Sequence, residues 1–124
     1  MSFRDQMENP LTMITIVLLF AVAAVFGISL IIPVLQGKTP ARGLVFAHGG
    51  IAAVALVLLL MKFFNQQGTV PQWSVILFVI AALGGFVLFA NDLQKKTIPK
   101  SLALVHAAAA VAAFLILLFS FINS

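Results

Sequence analysis

The sequence predicts an all-α membrane protein: a bundle of four transmembrane helices built from two tandem, parallel copies of one helical hairpin. Three observations carry this. The 124 residues are 63% hydrophobic and only 8% charged, against roughly 45–50% apolar and about 25% charged in soluble domains. Four long apolar runs are separated by short polar breaks. A shift of 58 residues overlays the chain on itself without a gap.

A spanning helix needs about 20 mainly apolar residues. The first run extends from about Leu11 to Leu35, and the second from about Leu44 to Phe64. The third is shorter, from about Trp73 to Ala90, and the fourth runs from about Leu102 to Ile122. The runs are continuous rather than alternating, which disfavours a small β-barrel. Pro10 precedes the first span, and Pro33 lies near its end, where a kink costs little. Thr39-Pro40 reads as a cap and first-turn pair for the second span. Gly68 and Pro71 separate the second span from the third, Trp73 sits like an interfacial anchor, and Pro99 opens the fourth. The length supports one domain, 1–124, with repeat one over about 11–65 and repeat two over about 69–123. The first span is too long for a signal-peptide core and has no clear small-residue cleavage site, so it is expected to be retained.

Charge orients the chain. Lys38, Arg42, Lys95, Lys96 and Lys100 fall after the first and third spans, whereas only Arg4 and Lys62 fall on the other side. The positive-inside rule then places those loops in the cytoplasm and both termini outside, in the periplasm if the membrane is a bacterial inner membrane. The net charge of +4 is read in the same way, as topology rather than nucleic-acid binding. There is no cysteine, which removes disulfides, thiolate ligands, iron–sulfur clusters and a cysteine nucleophile.

The 58-residue overlay matches 19 of 49 positions over 17–65. Apolar composition alone would not align Gln36 with Gln94, Lys38 with Lys96, Thr39 with Thr97, His48 with His106 and Asn65 with Asn123. Each copy holds two spans, so both insert the same way up. An axis along the membrane normal relates them, with equivalent residues at one depth.

That symmetry makes the histidines informative. His48 and His106 are the only two in the chain and the only titratable side chains well inside a span. An ionisable residue at such a depth is a functional hypothesis by default. Two imidazoles facing one axis suit the two faces of a haem b iron. If the second and fourth helices lie diagonally in a square bundle of 8–10 Å neighbours, roughly 14 Å separates them. Small residues accompany the pair: Gly49, Gly50, Ala52 and Ala55 follow His48, and Ala107, Ala110 and Ala113 follow His106. Gly27, Gly84 and Gly85 lie at a similar depth on the first and third spans. Small residues also serve plain helix packing. Arg42 and Lys100, each six residues before a histidine, are compatible with haem propionates and equally with topology charge.

These residues resemble the small four-helix membrane b-type cytochromes, including the cytochrome b561-like group. The resemblance covers the four-helix plan and the paired histidines on the second and fourth spans. It implies bis-histidine haem and electron transfer, with a quinol or a reductase as donor. That group commonly binds two haems through four histidines, whereas two histidines support one haem per chain. A homodimer could juxtapose two haems.

Two other readings compete. An accessory membrane subunit would use the histidines for interhelical hydrogen bonds, worth about 1 kcal/mol. A small transporter is disfavoured because no span carries an interior carboxylate. Copper at the scattered Met13 and Met61, and zinc without a third ligand, are poorly supported. Ser29 and Ser120 lack partners for hydrolase chemistry, and Asp92 is assigned to the end of the third span.

Overall fold

A computed structural model describes residues 2–65 and 70–124, with the side chain of Met7 excepted. Gly68, read above as part of a break, lies outside the described residues. Five helices follow in order: α1 Phe3–Glu8, α2 Pro10–Leu35, α3 Arg42–Phe64, α4 Gln72–Leu93 and α5 Lys100–Ile122. No strand occurs among the described residues. The last four helices are each long and apolar enough to cross a bilayer, and the chain is an integral membrane protein.

The short α1 was not foreseen. Ser2 and Asp5 form its capping box, and Arg4 pairs with Glu8 at 3.3 Å. Asn9 then caps α2 by accepting from the Leu11 amide at 3.0 Å, and Pro10 takes the first helical position, where a missing N–H costs nothing. The expected cap at Thr39-Pro40 is displaced. Ala41 is the N-cap of α3, without a side-chain cap bond. Pro99 holds the same place before α5.

Both turns on the histidine side close alike. Gly37 (φ 75°) follows α2 and Lys95 (φ 57°) follows α4. In the first turn the Lys38 amide donates to the Pro33 carbonyl at 2.8 Å; in the second, Lys96 donates to Asn91 at 2.9 Å. These bonds satisfy carbonyls that the helix ends leave open.

The helices pack as a ring, α2 on α3, α3 on α4, α4 on α5 and α5 on α2. So α3 and α5, which carry the histidines, lie on one diagonal, and α2 and α4 on the other. Phe20 and Phe78 stack across the second diagonal, with centroids 4.0 Å apart and planes 8° from parallel. With Ile16, Val17, Ala55, Leu59, Val75, Ala113 and Leu117 they form the buried core. Ser74 stands where the overlay puts Ile16, and its hydroxyl donates to the Ala113 carbonyl at 2.8 Å. The outer faces carry exposed apolar side chains such as Leu18, Val25, Phe86, Leu115 and Phe119. In a bilayer these meet lipid, and the helices supply all their own backbone bonds.

Candidate cofactor site

His48 lies six residues into α3, and His106 six residues into α5. The Nδ1 of His48 is 2.8 Å from the Ala23 carbonyl oxygen on α2. The Nδ1 of His106 is 2.6 Å from the Ala81 carbonyl oxygen on α4. A carbonyl can only accept, so each Nδ1 carries the proton and donates it. When such a ring is neutral, its Nε2 is the nitrogen left with the lone pair. The two rings are 6.2 Å apart between centroids, and their planes cross at 84°.

Glycine makes room for each ring. A Cβ on Gly27 would come within 3.1 Å of the His48 Cε1, and a Cβ on Gly85 within 3.1 Å of the His106 Cε1. A Cβ at either position requires the imidazole to give way by a few tenths of an ångström. Gly84 is less demanding, since its added Cβ would lie 3.6 Å from the His106 Cβ. Gly49 and Gly50 do not belong here. Both are exposed, and a Cβ on either meets nothing within 4 Å. They follow His48 in sequence but turn to the outer face. Ala52 and Ala110, one turn further along the histidine helices, are half-buried. Ala55 and Ala113 are wholly buried where the core begins.

The cations near the site are not equivalent. Arg42 is engaged: its Nη2 donates to the Asp92 carbonyl at 3.3 Å, and its Nε lies 3.7 Å from the Asp92 Oδ2. Lys100, its counterpart, is exposed. Where Asp92 stands in α4, the overlay puts Val34 in α2, and both are buried. The Asp92 Oδ2 receives no hydrogen bond.

Two of these features escaped the sequence reading. Asp92 does lie at the end of its helix, as expected, but its burial between hairpins was not foreseen. Its alignment with Val34, an apolar position, was the available signal. Lys62 was taken only as an orienting charge, yet it is 3% exposed. Its partner in the overlay is Ser120, which is half-buried.

Among the described residues no group of three or more His, Cys, Asp or Glu side chains could hold a metal ion. A four-ligand zinc centre is therefore not assembled from them. The chemistry on offer is a pair of imidazoles from diagonal helices, each held by a backbone carbonyl. No family model, no curated protein and no solved structure matches the chain.

Proposed function

We propose that this chain is a membrane-embedded b-type cytochrome that holds one haem b between α3 and α5, with His48 and His106 as axial ligands, and transfers electrons. The observation that carries the reading is the pair of Nδ1–H···O=C bonds from His48 to Ala23 and from His106 to Ala81. Metal-bound histidines commonly donate their second ring N–H in this way, which fixes tautomer and orientation and raises ligand basicity. Spacing supports it too. The two rings lie close together on diagonal helices, with centroids 6.2 Å apart.

Gly27 and Gly85 seat the ligand rings, while Ala52 and Ala110 keep the histidine faces of α3 and α5 small. Lys100 remains available to a propionate, and Arg42 would share its charge with Asp92. With both axial positions filled by histidine, an iron exchanges electrons rather than binding oxygen. A quinol or a reductase would supply them. In this reading the chain is cytochrome b561-like in plan but carries one haem instead of two. The two hairpins derive from a duplication, and the histidine-side loops face the cytoplasm of a bacterial cell.

A second reading has its own support. Rings 6.2 Å apart and nearly perpendicular also fit an edge-to-face contact between aromatic rings. The histidines would then be interhelical staples in an accessory subunit.

A pyridine haemochrome assay on the purified protein separates the two. We expect about one haem b per chain, and loss of the haem or a high-spin spectrum in His48→Ala and in His106→Ala. Colourless protein that takes up no added haem overturns the proposal. So does a wild-type low-spin spectrum in both variants.

A further inference from the structure

Charge is divided unequally between the two ends of the bundle. His48 and His106 each lie six residues from the start of their helices, about 9 Å along the axis. From His48 to Phe64, at the other end of α3, the distance is about 24 Å. The near end carries Lys38, Arg42, Lys95, Lys96 and Lys100, all exposed. Its single acidic residue, Asp92, is buried against Arg42, so the exposed surface there shows no negative charge. At the far end Arg4 and Lys62 are balanced by Asp5 and Glu8, and Arg4 is paired with Glu8. The whole formal charge of +4 therefore belongs to the end nearest the histidines.

The placement of these cations matters. Lys38, Lys95 and Lys96 lie in the interhelical turns, the parts of the chain furthest from hydrocarbon. There they meet water rather than snorkel along lipid. Lys95 takes the left-handed conformation that Gly37 takes in the other turn, a geometry glycine adopts with less strain. That turn therefore presents two adjacent cations where the first presents one.

We infer that this cationic rim is the docking surface for a water-soluble electron-transfer protein with an acidic face. The inference rests on the haem reading above and names its partner. A ferric haem held by His48 and His106 would accept one electron from the partner's reduced flavin or iron–sulfur centre; the partner would be oxidised by one electron, and no proton need move. Opposed charge brings such a partner to the end where the iron is closest, and raises the rate of encounter by about tenfold or more at low salt.

The test uses the haem-loaded full chain in nanodiscs of zwitterionic lipid, with a reduced acidic flavodoxin as the probe and a neutral small quinol as control. Haem reduction by flavodoxin should slow by about tenfold as salt rises from low to physiological ionic strength and above. The double substitution Lys95→Glu and Lys96→Glu should produce a similar loss at low salt, with the absorbance spectrum and the quinol rate unchanged. A flavodoxin rate indifferent to both salt and charge reversal overturns the inference. So does a charge effect that appears only in discs of anionic lipid, since the rim then serves the membrane. Protein without a haem spectrum overturns the haem reading and this inference with it; coloured protein with an insensitive rate overturns this inference alone.

Discussion

In the half of the bundle that holds the chain termini, Ile16, Val17, Phe20, Leu59, Val75, Phe78 and Leu117 close on one another as a continuous apolar core. In the half that holds the turns, the buried side chains are fewer and less uniform: Val34, Pro40, Asp92 and Ala103. The contacts between helices there are more mixed: two imidazoles on two carbonyls, an arginine on an aspartate, and the edge-to-face rings of Phe46 and Phe89. Lipid is as apolar as leucine, so the first half holds together by packing rather than by escape from water. The second half spends glycines on seating two rings. The contrast separates a half built by packing from the half that holds the proposed site. Substitutions in the packed half should act on stability, and those in the histidine half on the two imidazoles.

The largest expected effect lies in the core. Leu59 and Leu117 are almost wholly buried and occupy equivalent places in the two hairpins. Leu59→Ala or Leu117→Ala should destabilise the bundle by about 2–5 kcal/mol, read by unfolding in detergent. The folded fraction of each should keep an unchanged haem spectrum. A variant that unfolds no more easily but loses its haem would break the division between the halves.

The glycines come next. Gly27→Ala and Gly85→Ala each bring a methyl group to 3.1 Å from a histidine ring. Relief requires the ring to shift or its carbonyl bond to stretch, at a cost of about 1–3 kcal/mol. The expected outcome is weaker haem retention or a high-spin component, with thermal stability of the haem-free chain affected less. Gly84→Ala meets His106 only at ordinary contact distance, 3.6 Å, and should behave like wild type. Equal behaviour of all three variants would show that the rings do not hold their seats.

Much of this was legible before the structure. Hydropathy marks the four helices because a bilayer demands long uninterrupted apolar runs, and Pro10, Pro71 and Pro99 bound them where a proline does least harm. The diagonal placement of the histidine helices, conditional in the sequence, is the observed order of packing. The equivalence of Gly27 with Gly85 and of Ala23 with Ala81 follows from the overlay, and both pairs meet the two histidines alike. Other features were hidden for physical reasons. Which carbonyl a histidine selects depends on the rotation of one helix against another. Adjacency misled at Gly49 and Gly50, because consecutive residues on a helix lie about 100° apart and leave the histidine face. Hydropathy says nothing of a single acid at a helix end, so the burial of Asp92 depended on how α3 meets α4.

Asp92 gives the smallest and most delicate prediction. It is the residue that most clearly departs from the pattern of the other hairpin, where Val34 is buried at the matching position. Its Oδ2 is out of reach of water and receives no hydrogen bond; leaving such an acceptor unmet costs about 1–3 kcal/mol. The compensation is weak, since Arg42 is half-exposed and its Nε stands off at 3.7 Å. A pair of that kind contributes about 0–1 kcal/mol. Asp92→Val should therefore leave the bundle as stable as before or stabilise it by about 1 kcal/mol, as judged by thermal unfolding of the haem-free protein. Arg42→Gln should move stability the other way, because it leaves a buried carboxylate with no cation beside it. If Asp92→Val instead destabilises the chain more than Arg42→Gln does, the orphan oxygen has a partner in the working protein, and the turn end of the bundle is more tightly built than its packing suggests.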